Sequence, residues 1–231
     1  MYKIKQSSAT RAVYNLLIVD ESGSMASIAE QTKAGYTEVL QTIQQVQRKS
    51  PDVKQMLSLI SFNTDGIHWI FDLMPIDQVM ETQSFHYEPD GGTPLWDAIG
   101  TAVNRLQGQI RTAEMKKQAV FVSVLSDGYE NSSEKYTAKM IKDLIEGLSA
   151  ESWNFTYIGT DHDVTEVADS IGISKGNRAC FERSELKQKG LKKVARAIEI
   201  LHEKAMGNHF KDDAISLDNL MEVEVERSAG L

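Results

Sequence analysis

The sequence predicts an α/β protein: a doubly wound, three-layer α/β/α domain built on a mainly parallel sheet. Three observations carry that prediction. Mainly apolar runs of strand length recur at residues 13–19, 56–62, 119–125 and 154–158, and the first of them lacks the alternation that marks a sheet with one wet face. Stretches with apolar residues at helical spacing lie between most of these runs. Several runs also end in a short polar turn that opens a helix, the grammar of strand–helix–strand units.

Taken in order, residues 1–11 form a polar lead-in, 12–206 a single domain and 207–231 a mixed, acidic tail that either frays or docks one short helix. After the first strand, Ile28, Tyr36, Val39, Leu40, Ile43 and Val46 share one face of a helix over 26–49, which Ser50-Pro51-Asp52 stops. The second strand runs into Asn63-Thr64-Asp65-Gly66 and then Ile67-His68-Trp69-Ile70-Phe71. Asp-Gly between two β-rich runs signals a hairpin, which makes the third strand antiparallel and places it at a sheet edge. Residues 75–84 suit a short helix, and 85–94 read as a loop. Pro94 suits the first turn of the next helix, with Thr93 near its N-cap and Leu95, Ile99, Ala102, Val103, Leu106 and Ile110 on its inner side. A further strand over 119–125 precedes a helix over 135–150, with Met140, Ile141, Leu144 and Leu148 inward. A strand over 154–158, a short helix over 164–171, a brief strand at Ala179-Cys180-Phe181 and a last helix over 184–206 complete the pattern.

Composition bounds the function. At 231 residues the chain is long enough for one substantial core. A net charge of −8 disfavours a broad nucleic-acid surface. No stretch approaches the length of a membrane span, and Met1–Lys5 opens no secretory signal. Cys180 is the only cysteine, so no internal disulfide framework exists. The simplest expectation is a cytoplasmic protein.

The most informative stretch is Leu16-Leu17-Ile18-Val19-Asp20-Glu21-Ser22-Gly23-Ser24. A buried strand ends in one carboxylate and two hydroxyls on alternate residues, and Gly23 relieves crowding between them. A looping chain with that spacing aims Asp20, Ser22 and Ser24 at one point. Oxygen donors without imidazole or thiolate suit Mg²⁺ or Mn²⁺ and suit zinc poorly. In a parallel sheet, ligands bind beyond the carboxyl ends of the strands. Asp127 also follows a strand, and Thr93 opens a helix entering the same rim. The bland reading of each residue is a turn or helix cap. The convergence of three separate loops is what favours a metal site.

With Asp20-x-Ser22-x-Ser24, then Gly91-Gly92-Thr93-Pro94, then Ser126-Asp127-Gly128, the chain resembles the von Willebrand factor A (vWA) domain family. The match falls on that family's metal-ion-dependent adhesion site, with all five positions in order. The resemblance implies a six-stranded sheet ordered 3-2-1-4-5-6 with strand 3 antiparallel, in agreement with the hairpin at Asp65-Gly66. It also implies Ser22 and Ser24 as direct metal ligands, with Thr93 binding directly or through water. Asp20 and Asp127 would act largely through water. Among relatives, the cytoplasmic bacterial members, including those associated with tellurium resistance, look closest. Glu21 departs from the pattern, and as an extra acid on the rim it would alter metal affinity or partner preference.

The resemblance implies a non-enzymatic, metal-dependent protein-interaction module, with a carboxylate from the partner completing the coordination. An AAA-type ATPase is one such partner for bacterial relatives. A Mg²⁺- or Mn²⁺-dependent hydrolase or phosphotransferase is the competing reading. It needs a nucleophile or general base, and no His or Cys accompanies the core motif. RNA binding, known for some proteins of this fold, is a third. Around the motif, Met25, Phe85, His86, Tyr87, Trp96 and Asp161 are candidate rim contacts, each weighed against simple packing under a loop. His68 and His86 read as ordinary polar residues, and Asp161-His162-Asp163 as a helix-capping segment. Lys187, Lys189, Lys192, Lys193 and Arg196 read as a solvated helix face.

Overall fold

A computed structural model describes residues 11–79, 86–111, 117–151, 153–160 and 163–181. The expected lead-in over 1–10, the last helix over 184–206 with its basic face, and the tail lie outside these residues. The chain runs β1 (Arg11–Asp20), α1 (Ala29–Lys49), β2 (Val53–Asn63), β3 (Gly66–Pro75), α2 (Leu95–Arg111), β4 (Lys117–Leu125), α3 (Ala138–Ser149), β5 (Trp153–Thr160), α4 (Asp163–Ser170) and β6 (Arg178–Phe181). A 3₁₀ turn over Gly23–Ile28 takes up what the sequence suggests is the first turn of α1. Of the short helix expected over 75–84, the described part is a single 3₁₀ turn, Ile76–Gln78.

The sheet order is β3-β2-β1-β4-β5-β6. β1 pairs in parallel with both β2 and β4, and β3 returns antiparallel to β2 at one edge. The mixed sheet over its first five strands is the one expected. β3 leaves its ladder near Leu57 and Leu59. There Leu73 adopts φ 48° and its amide bonds the Ser58 hydroxyl at 3.0 Å, so a buried serine accepts a donor that the sheet does not.

Both faces of the inner strands β1, β2 and β4 are buried, which is why these strands read as mainly apolar runs. Along β1, Tyr14, Leu16 and Ile18 join a core with residues of α2, α3 and α4. The alternate residues Leu17 and Val19 pack with Tyr36, Val39, Leu40 and Ile43 of α1. Leu16, Ile18, Ile43, Ile99 and Ile141 have no measurable exposure, and each such side chain contributes roughly 1.5–3 kcal/mol by leaving water. One inward assignment fails. Met140 is 48% exposed, and Ile145 is buried with Ile141 and Leu148. The helix starts at Ala138, capped by the Thr137 side chain; its inner stripe runs at 141, 145 and 148, and Met140, about 100° round the helix from Ile141, falls beside that stripe and not on it.

Because β1, β2 and β4 are parallel, Asp20, Asn63 and Leu125 all end at one edge of the sheet. The turns that follow them form a common rim, which the start of α2 also enters.

Candidate metal centre

The rim begins with the turn after β1. Asp20 is fully buried, and its Oδ1 accepts the Ser22 amide at 2.8 Å. That bond folds the chain back so that Ser22 and Ser24 present their hydroxyls side by side, 3.1 Å apart. Ser24 donates to Asp127 Oδ1 at 2.6 Å, joining the turn after β1 to the turn after β4. Ser126 donates to Asp20 Oδ2 at 2.5 Å, a second link between the same two turns.

Thr93 completes the group. A Cβ placed on Gly128 would sit 3.4 Å from Ser24 Oγ, 3.4 Å from Thr93 Oγ1 and 4.0 Å from Asp20 Oδ2. Oxygens from two loops therefore lie around a point on a third, the turn after β4, that glycine leaves open. Of the five residues singled out in the sequence, Ser24 is exposed, while Asp20, Ser22, Thr93 and Asp127 are buried. The cradle is thus walled on most sides and reached from the Ser24 side.

Burial pushes the Asp20 carboxyl above its ordinary range. Hydrogen bonds from Ser126 and Ser22 pull against that rise, and the neighbouring Asp127 charge adds to it. A cation in the cradle would reverse the balance, because an opposite charge favours ionised carboxylates. The donor set is all oxygen, and among the described residues no group of three or more His, Cys, Asp or Glu offers an alternative metal cluster. A buried carboxylate with a raised pKa, beside hydroxyls whose protons point to carboxylates, fits a hard divalent cation.

Two carboxylates that take no part in the cradle hold its loops. Glu21 is only 7% exposed, and its Oε1 accepts the Glu88 amide at 2.8 Å. It is therefore not a rim acid facing a partner, as its sequence position suggests; its side chain is turned in to satisfy loop backbone. Glu130 accepts from the amides of Trp96 at 2.9 Å, Ser132 at 2.8 Å and Ser133 at 2.6 Å, and from the Ser133 hydroxyl at 2.6 Å.

This second arrangement corrects the expected cap. Thr93 does not cap α2, and Pro94 stands just before the helix rather than within it. Glu130 takes the Trp96 amide and Ser133 Oγ takes the Asp97 amide at 3.1 Å, so donors left over at the helix start are met from another loop. The Thr93 amide goes to Asn131 Oδ1 at 2.8 Å, and its carbonyl accepts the Asn131 amide at 3.2 Å. With the cap supplied elsewhere, the Thr93 hydroxyl faces the cradle.

Of the four candidate rim contacts among the described residues, three turn out to be packing. Met25 and Tyr87 are buried, as is Trp96. Tyr87 donates to the Asp20 carbonyl, and burial, followed by the Asp20 charge, drives its phenol well above the usual range. His86 is exposed and lies 3.4 Å from Glu88, and His68 is exposed on β3. Phe85, Asp161 and His162 lie outside the described residues. Sequence reasoning missed Ser126, Glu130, Asn131 and Asp97. Only Ser126, a hydroxyl at a strand end beside Asp127, carried a local signal.

This sheet order, with an oxygen-lined rim above β1 and β4, defines a vWA-like fold, and solved structures agree. Proximal thread matrix protein 1 from the mussel byssus superimposes with a TM-score of 0.61 at 15% identity, over 83% of this chain and 49% of that one; one structure of it is described as having a zinc-occupied MIDAS motif. The vWF domain of the type V pili tip protein Mfa5 from Porphyromonas gingivalis gives 0.57 at 12% identity, over 84% and 97%. Manganese-loaded TRAP protein of Plasmodium vivax gives 0.53 at 14% identity, over 78% and 72%. The chain thus spans about half the length of the byssus protein. At these identities the likeness establishes the fold. No family profile and no curated protein matches the sequence.

Proposed function

We propose that the chain is a non-enzymatic, divalent-metal-dependent protein-interaction module, a three-layer vWA-like domain with an intact metal-ion-dependent adhesion site. Asp20, Ser22, Ser24, Thr93 and Asp127 would hold the ion, Mg²⁺ or Mn²⁺. The observation that carries this reading is the convergence of Ser24 Oγ, Thr93 Oγ1 and Asp20 Oδ2 on one point beside Gly128. When bound, the ion supplies an electrophilic position that accepts an Asp or Glu carboxylate from a partner protein.

This chain's residues prepare that position. Asp127 accepts the hydrogen bond of the Ser24 hydroxyl, which turns the Ser24 oxygen lone pairs toward the cradle. Asp20 accepts hydrogen bonds from the Ser126 hydroxyl and the Ser22 amide, which fixes its carboxylate before any ion arrives. The two carboxylates balance a divalent charge, and the hydroxyls add none. The partner is a protein presenting an acidic side chain, with an AAA-type ATPase one candidate. Among the described residues no helix is long and apolar enough to cross a membrane. A cytoplasmic setting is part of this proposal, resting on the lone Cys180.

Calorimetric titration of the full chain with Mg²⁺ and Mn²⁺ tests the site. Saturable binding that Asp127→Ala abolishes is expected, and absence of binding by either ion to the wild type would sink the reading. Capture of a cellular partner in Mg²⁺ and its release by EDTA tests the rest; retention in EDTA removes the ion from the interface.

A further inference from the structure

The cradle draws on two loops that the sequence separates by some thirty residues: 91–97, which brings Thr93, and 126–136, which brings Asp127. They are tied reciprocally. Glu130, in the second loop, caps the first helical turn of α2 through the Trp96 amide at 2.9 Å. Asp97, in that same turn, caps the second loop, accepting the amides of Glu134 and Lys135 at 2.9 Å each and of Tyr136 at 2.8 Å. Ser133 closes the circuit, its hydroxyl accepting the Asp97 amide at 3.1 Å and donating to Glu130 at 2.6 Å. Asn131 joins Thr93 through both its side chain and its main chain. Each acid accepts several amide hydrogens from the other's segment or its own loop, so each fixes the segment that carries the other.

We propose that Glu130 and Asp97 are positioning residues of the metal cradle: they lock the Thr93 segment to the Asp127 loop in the metal-free protein and thereby set divalent-ion affinity. This rests on the metal reading above. Neither carboxylate is required to touch the ion. Their effect passes through the place of the Thr93 hydroxyl relative to Ser24 and Asp127. Substituting a residue that orients a metal ligand typically costs between about tenfold and a hundredfold in affinity.

The experiment uses Mn²⁺ alone as probe, on the full chain. Glu130→Gln turns an amide group toward donors that now find an oxygen, and it should weaken Mn²⁺ binding about tenfold. The Trp96 and Thr93 amides should exchange with solvent faster in the metal-free protein. Ser133→Ala, a milder cut that keeps both acids, should show the same two effects at smaller size. Ile145→Val, remote in the α3 core, supplies a variant of lowered stability with unchanged Mn²⁺ affinity. The proposal is overturned if Glu130→Gln and Ser133→Ala bind Mn²⁺ as the wild type does, or if Ile145→Val weakens binding in proportion to its loss of stability. A wild type that binds no Mn²⁺ fails the metal reading instead, and amide exchange in Glu130→Gln still reports whether the clamp exists.

Discussion

The two halves of the rim are held by different means. The turn carrying Asp20, Ser22 and Ser24 is fastened by three main-chain bonds: Asp90 amide to Glu21 carbonyl at 2.9 Å and Gly23 amide to Gly91 carbonyl at 3.0 Å, which join it to 87–91, and Glu21 amide to Phe62 carbonyl at 2.8 Å, which joins it to β2. Buried Tyr87 and Glu21 add the side-chain bonds. The half carrying Thr93 and Asp127 is fastened mostly by side chains, Glu130, Asp97, Asn131 and Ser133, and much of it is exposed. A main-chain ladder survives most substitutions but not a change of backbone shape. A side-chain clamp is the reverse: single substitutions weaken it and little else. Asp20 belongs to both, since its carbonyl takes the Tyr87 hydroxyl and its carboxylate takes Ser126.

The largest effect follows from the main-chain half. Gly91 has φ +71°, and an added Cβ would collide with the Thr64 side chain. Gly91→Ala should therefore cost about 3 kcal/mol of stability in urea unfolding, strain and overpacking together. A loss below about 0.5 kcal/mol, the level of an ordinary surface change, would show that this half is not shape-limited and would erase the contrast.

Next in size is the residue shared by both halves. At an ion concentration about a hundredfold above Kd, binding should stabilise the wild type by about 2.7 kcal/mol, and Asp20→Asn should gain nothing. Without metal the order reverses. The native Asp20 carboxyl is raised above its ordinary 3.8, so the folded state binds this proton more tightly than the unfolded chain does. Its contribution is fully present below the ordinary value and is lost as pH climbs through the raised one. In EDTA, the wild type should lose stability relative to Asp20→Asn across that window, read as the difference between two series of thermal melts. A flat difference would mean that hydrogen bonds from Ser126 and Ser22 outweigh burial.

These residues also mark how far the sequence can be read. The five cradle positions are legible because each stands at a strand end or helix start, where local pattern fixes the place. The antiparallel edge was legible for the same reason, from Asp65-Gly66. Glu21 was misread and Glu130, Asn131 and Asp97 were missed because their partners are distant: Glu88 lies 67 residues from Glu21, and Trp96 lies 34 from Glu130. Acid at those positions looks like solvated loop until the fold brings amides to it. Met140 failed by phase alone. Moving the helix start from 135 to Ala138 leaves the period intact, but the face that reaches the core holds Ile145.

The smallest effect is the sharpest check on where the side-chain clamp ends. Thr137 lies one residue beyond Tyr136, whose amide Asp97 holds. The Thr137 side chain caps α3 through the Met140 amide at 3.3 Å, a long bond. Thr137→Ala should cost about 0.5–1 kcal/mol of stability, the lower part of the range for a lost N-cap, and leave Mn²⁺ affinity at the wild-type value. Asp97 already fixes the chain ahead of the cap, so fraying of the first turn of α3 has no path back to Asp127. If affinity falls along with helix stability in calorimetry, the clamp does not insulate the cradle. The two halves of the rim would then differ in the kind of bond that holds them and not in what those bonds control.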